Sequence, residues 1–142
     1  MAVVRGEGED ARVLLIRRSK GAFAGGWTVV MGGVEPGEHG VAAAHRELHE
    51  ETGLRAALYT AGVLDAFYDP IGDRIVHVPF FVARIPVTTV EITLEDDEHD
   101  AFQWATFAQA ETLLMFSAQR RALIEVHEEF IRREPEPWRL LH

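Results

Sequence analysis

Glu47, Glu50 and Glu51 stand at i, i+3 and i+4 in a proline-free stretch from Val41 to Thr52. On a helix each residue advances about 100°, so the three carboxylates fall within one arc of about 100°, beside a second arc formed by Val41, Ala44, Leu48 and Thr52. Carboxylates so spaced repel one another and weaken the helix unless a cation lies among them. Ligation by oxygen alone selects a hard ion, Mg²⁺ or Mn²⁺. A solvated face is the ordinary meaning of a glutamate-rich helix, and it is the flanking residues that set this one apart.

Upstream, Gly32, Gly33, Gly37, Gly40 and Pro36 shape a loop whose glycines let backbone approach a ligand closely. Glu38 falls near the helix start, where it favours the helix dipole and can pair with Arg46. Gly53 is placed as the left-handed stop of the helix. Together Gly32, Glu38, Arg46, Glu47, Leu48, Glu50, Glu51, Gly53 and Leu54 resemble the Nudix box, with every defining position filled over residues 32–54.

That resemblance implies an α/β (α+β) fold, an α/β/α sandwich with a mixed sheet and a loop–helix–loop catalytic motif. It implies hydrolysis dependent on Mg²⁺ or Mn²⁺, with metal on Glu47, Glu50 and Glu51 and water attacking a bridged phosphorus atom. The base varies within the family: Glu47 is expected here. Glu98 is its rival, because Glu98 precedes His99-Asp100-Ala101-Phe102-Gln103-Trp104, where many relatives place a further metal-binding or basic glutamate. Arg18 is expected at the substrate phosphates, as an arginine there is in relatives. Arg46 is expected either to bind substrate or, with Gly32 and Glu38, to support the site. Met31 stands where many relatives carry glycine, and a strained backbone there would suit methionine less well. Trp27 to Glu38 and the stretch around Glu98 are further similar to bacterial dihydroneopterin triphosphate or dATP pyrophosphohydrolases.

Other chemistry-bearing residues read more plainly. His45 and His49 lie one turn apart but lack the glutamate directly after the first histidine that zinc proteases carry, so they read as structural or supporting. Arg17, Arg18 and Lys20 make a surface cluster as readily as a phosphate site. Trp27, Phe67, Tyr68, Phe80, Phe81 and Trp104 suit a core better than a base-stacking pocket, which would take one or two at most. The run Glu95 to Asp100 reads as an acidic loop from which Glu98 alone is singled out.

The elements that must position these groups follow from pattern. A hairpin joins Ala2–Val4 to Val13–Arg17 across the turn residues Gly6 to Asp10. A strand over Trp27–Met31 leads into the loop and the helix. Two β-prone runs, Leu58–Phe67 and Arg74–Ile85, flank the turn Tyr68 to Asp73, with Pro79 marking an edge or a bulge. A strand at Ala101–Ala105 precedes helices at Ala108–Met115 and Ser117–Arg133, the second with a stripe of Leu123, Val126 and Phe130 beside exposed Arg120 and Arg121. Pro135 and Pro137 end it, leaving a tail that Trp138 anchors or presents to another subunit. The interleaving predicts a mixed sheet covered on both faces.

Composition bounds the function. With 142 residues and 47% of them apolar, one core and a single domain over 1–142 are expected. The absence of cysteine excludes disulfides and thiolate chemistry and suits a reducing compartment, so a cytoplasmic address is expected. Arg5 and the shortness of runs such as Val13–Ile16 argue against a leader or a membrane span. A net charge of −9 disfavours nucleic-acid polymers but admits a small phosphorylated substrate screened by a cation.

The expected reaction releases a monophosphate and pyrophosphate from a nucleoside triphosphate or related nucleoside-diphosphate-linked compound. Its alternatives are dinucleoside polyphosphate or nucleotide-sugar hydrolysis, and a catalytically silent binding module, against which the intact glutamates speak. A homodimer is left open, and no residue locates an interface.

Overall fold

Apolar runs broken by glycine and acid make the first hairpin. In the computed structural model, which describes residues 1–89, 91–95 and 97–142, β1 (Ala2–Arg5) pairs antiparallel with β2 (Arg12–Arg18), with Val4 opposite Val13. Their connection is an exposed 3₁₀ turn, Gly8–Asp10, as the polar residues there require. Asp96 of the acidic run lies outside the described residues.

The next strand is shorter than its β-prone sequence predicts. β3 covers only Trp27–Thr28, opposite Arg17 and Ile16 of β2, instead of continuing to Met31. Val29 and Val30 are buried, but side chains claim the amides that a ladder would need. Gln119 Oε1 accepts from Val29 N–H at 3.3 Å and Glu51 Oε2 from Met31 N–H at 3.1 Å. The chain is thereby steered off the sheet into the glycine loop. Helix α1 (Gly40–Thr52) follows and stops at Gly53, whose φ of 71° lets its N–H close on His49 O at 2.8 Å.

β4 (Leu58–Asp69) and β5 (Arg74–Ile85) form a long antiparallel hairpin whose register shifts between Thr60 and Leu64. Pro79 sits opposite Leu64, beside that irregularity and in the part of β5 that β1 does not reach. Val82–Ile85 pair in parallel with β1, while β6 (His99–Ala105) runs antiparallel along β2. The sheet is thus mixed, in the order β3-β2-β1-β5-β4 with β6 also on β2.

Alternation along the strands divides the core between two faces. Val13, Leu15 and Ala105 face α2 (Phe107–Leu113), α3 (Ser117–Val126) and the segments after them, meeting Ala110, Leu114, Leu123, Val126 and Phe130. Leu14 and Ile16 face the other way, onto Ala44 and Leu48 of α1. Helices therefore cover both faces, as expected. The last helix ceases to be α-helical after Val126, and a wider π-type turn (His127–Ile131), closed by Arg132 N–H on His127 O at 3.0 Å, swings Phe130 into the core.

The tail is held by Arg139, not by Trp138, which stays exposed. Arg139 donates to Ala61 O at 2.8 Å, a carbonyl freed by the break in the β4–β5 register. Gly62, at φ 75°, makes room: a Cβ there would lie 2.9 Å from the guanidinium. Among the described residues no helix is long and apolar enough to cross a membrane.

Candidate active site

The loop and α1 are locked together by one arginine. Arg46 Nε donates to Glu38 Oε1 at 3.0 Å, one terminal nitrogen donates to Glu47 at 2.8 Å and Glu50 at 2.9 Å, and the other to Glu38 at 2.9 Å and Gly33 O at 2.8 Å. A guanidinium has five N–H groups. All are engaged here, and no donor is left for a substrate phosphate in this arrangement. Glu38 holds its loop as well, accepting from Glu35 N–H at 3.0 Å. The Arg46 guanidinium keeps the Glu38 carboxyl below the usual carboxylate range.

Gly32 is required by Glu47. A Cβ on Gly32 would fall 1.9 Å from the Glu47 carboxyl carbon and about as close to both its oxygens, so the carboxylate fills the space that any other residue would claim. The glycine that defines the start of the motif thus seats one of its acids against bare backbone.

Glu51 differs from the other two acids of the arc in depth. It is 2% exposed, whereas Glu50 is exposed and Glu47 intermediate. Three residues from Leu48 and adjacent to Thr52, both buried, it lies on the rim of the stripe that packs on the sheet. One oxygen accepts from Met31 N–H at 3.1 Å, and the other stands 3.6 Å from His99 Nε2. Burial pushes its carboxyl up to about 8, the Met31 N–H opposing and the like charges of Glu47 and Glu98 adding to the rise. Met31 carries no strain of the kind considered above, since Asp73 is the one non-glycine residue with positive φ among those described.

β2 and β6 bring the remaining candidates to the same side. Arg18 is half-buried opposite His99, with a buried Nε that has no partner among the described residues. Arg17 is instead committed to Asp100 at 2.7 Å and lies over the Trp27 ring, and Lys20 is exposed. Glu98 is half-buried at the head of β6, its carbonyl accepting from Ser19 N–H at 2.8 Å. His45 and His49 are exposed on α1. Phe80 is buried, and Trp27, Phe81 and Trp104 pack on the core; Phe67 and Tyr68 are exposed on the β4–β5 hairpin.

His99 was legible only as a neighbour of Glu98, yet it is 2% exposed and its two ring nitrogens lack hydrogen-bond partners among the described residues. Burial pushes the imidazole below its ordinary value, with Arg18 acting in the same direction.

Among the described residues no three histidine, aspartate or glutamate side chains are gathered closely enough to hold an ion as they stand. Glu47 and Glu50 turn to Arg46, and Glu51 turns inward. The donor set nevertheless fits a hard cation: oxygen ligands from one helix, a glycine that clears space beside Glu47, and a carboxylate raised chiefly by burial and further by like charges that a cation would relieve.

The fold and this loop–helix define a class. The NUDIX domain family model matches residues 1–127. The bis(5'-nucleosyl)-tetraphosphatase [asymmetrical] of Mus musculus is 31% identical over 119 residues, covering 81% of this chain and 78% of that protein. An octanoyltransferase of Myxococcus xanthus is 38% identical over 127 residues, 87% of this chain but 34% of that protein, so the chain spans about a third of its length. The structure of the E. coli dihydroneopterin triphosphate pyrophosphohydrolase superposes with a TM-score of 0.70 at 24% identity, over 86% of this chain and 89% of that one, a likeness of fold. The chain belongs to the NUDIX family and is a Nudix hydrolase.

Proposed function

We propose that the chain hydrolyses a phosphoanhydride bond in a nucleoside polyphosphate, using Glu47, Glu50, Glu51 and Glu98 to hold Mg²⁺ or Mn²⁺. The observation that carries this reading is the Glu47 carboxylate lodged in the space of the absent Gly32 side chain, beside a buried Glu51 with one hydrogen bond. Such a cation supplies charge neutralisation at the phosphates and activation of water. Glu47, fixed by Arg46 and Gly32, is the preferred proton acceptor for that water, with Glu98 as the alternative. Arg18, whose Nε lacks a partner, is the side chain best suited to a phosphate oxygen. Glu38 and Arg46 keep the loop on the helix and so fix the distance between backbone and acids.

For the leaving group, the mouse relative favours a dinucleoside polyphosphate, split into two nucleotides, over a nucleoside triphosphate releasing pyrophosphate. The likeness to the dihydroneopterin triphosphate enzyme, at 24% identity, supports the fold and leaves that subfamily reading without further support. A panel of dATP, other nucleoside triphosphates, dinucleoside polyphosphates, ADP-ribose and dihydroneopterin triphosphate, with Mg²⁺ and product identification, decides the matter. Two nucleotides from a dinucleoside polyphosphate support the preferred reading. Pyrophosphate from a triphosphate restores the other, and inertness towards the whole panel overturns turnover altogether. Heavy-oxygen water locates the phosphorus attacked.

A further inference from the structure

One extra residue in β6 decides which side chain meets α1. Along β2, Leu14 lies opposite Trp104, Ile16 opposite Phe102 and Arg17 opposite Ala101, but Arg18 lies opposite His99, so Asp100 is the residue without a partner. A side chain's face alternates along a strand, and a slip of one residue exchanges the faces. Leu14, Ile16 and Trp104 belong to the α1 side of the sheet. Regular pairing would set Asp100 opposite Arg18 on that side and turn His99 away. The bulge reverses the two: Asp100 is exposed on Arg17, and His99 is buried with Nε2 3.6 Å from Glu51 Oε1.

A buried imidazole ordinarily satisfies both nitrogens. Here neither has a partner among the described residues, and the one oxygen of Glu51 that Met31 does not hold stands 3.6 Å from Nε2. We propose that His99 is a positioning residue for Glu51: its Nε2–H directs Glu51 Oε1, so that Met31 and His99 hold the two oxygens from opposite sides and fix the carboxylate's orientation toward a divalent cation. The role is separate from that of Glu98, which offers its own carboxylate, and it rests on the reading above that Glu51 is a cation ligand. A small closure of the 3.6 Å separation completes the bond. Contacts of this kind, made to a ligating side chain and not to the ion, set ligand orientation without touching the substrate.

The test compares His99→Leu, which keeps bulk without a donor, with His99→Gln, whose amide N–H ends a chain of similar reach. Mn²⁺ binding to ion-free protein, read from the electron paramagnetic resonance signal of unbound Mn²⁺, is expected to weaken about 10- to 100-fold in H99L. H99Q should recover most of that loss, with kcat following affinity and KM for the nucleotide unchanged. Equal Mn²⁺ affinity in H99L and the unaltered protein overturns the inference, as does an H99Q variant no better than H99L.

Glu51→Gln separates this inference from the reading it rests on. If E51Q loses Mn²⁺ binding while H99L keeps it, the positioning role alone falls; if E51Q also binds and turns over normally, Glu51 is no ligand and both fall. Should H99L fail to fold, the ring nitrogen resonances of His99 in the intact protein provide the measurement. They are expected to shift in E51Q relative to the unaltered protein, and coincident spectra overturn the proposal.

Discussion

Two ionisable side chains are buried in different parts of the fold, and their surroundings differ in kind. Arg139, 7% exposed, donates to Ala61 O at 2.8 Å, lies 3.4 Å from Glu129 and 3.8 Å from Glu125, and stacks beside Trp138 and Phe130. Glu51, 2% exposed, has one backbone N–H, an imidazole just beyond bonding distance and like charges nearby. Burying a charge is costly unless fixed partners offset the lost hydration. The arginine's partners belong to the fold, so its charge is structural. Among the described residues the glutamate has no charged group in hydrogen-bond contact, and on the proposed reading a cation would supply one.

The largest effect that would sharpen this contrast is on turnover. Glu51→Gln, nearly isosteric and uncharged, is expected to slow the reaction about 10³-fold, the equivalent of about 4 kcal/mol, while the circular dichroism spectrum stays unchanged. Near-normal rates at saturating Mg²⁺ would break the comparison at its root. Next, Gly32→Ala forces a methyl group into the Glu47 carboxylate and is expected to cost about 10²-fold in kcat, since a misplacement near 1 Å suffices. Because Gly32 is exposed, its Tm should hold. Arg139→Met should do the reverse, lowering stability by about 2 kcal/mol and Tm by a few degrees with kcat intact.

The most gradual expected effect is on stability against pH. Glu51 is raised from 4.5 to about 8, so the folded chain keeps a proton there that the unfolded chain releases. The stability of ion-free protein is therefore expected to fall as pH climbs through that window, by roughly 1.4 kcal/mol per unit at most. E51Q should flatten the slope, and so should added Mg²⁺. Denaturant melts of chelator-treated protein between pH 5 and 8 check both, and a slope that persists in E51Q assigns it to another group.

The loop and α1 were legible because type and spacing alone determine them: Gly53 ends the helix, and Glu38 meets Arg46 as the intervening turn dictates. The arc of acids was legible as a direction around the helix but not as a depth. Only the seating of Leu48 on the sheet shows that Glu51 goes under while Glu50 stays out. His99 escaped notice for a related reason, since strand alternation hides a bulge that depends on the partner strand. β3 was overextended because Val29 and Val30 favour a strand locally, whereas Gln119 and Glu51, distant in sequence, take the amides. Arg139 was passed over for Trp138 because nothing local signals a free carbonyl at Ala61.

Arg46 already neutralises the helix's own acids by holding Glu47 and Glu50. On the proposed reading, a metal entering the site competes with this resident guanidinium, and uptake becomes an exchange of one cation for another. At Glu47 and Glu50 the protein can stand ready without an ion at little electrostatic cost, and it surrenders part of its affinity there in return, so occupancy tracks the free concentration of divalent ions in its surroundings.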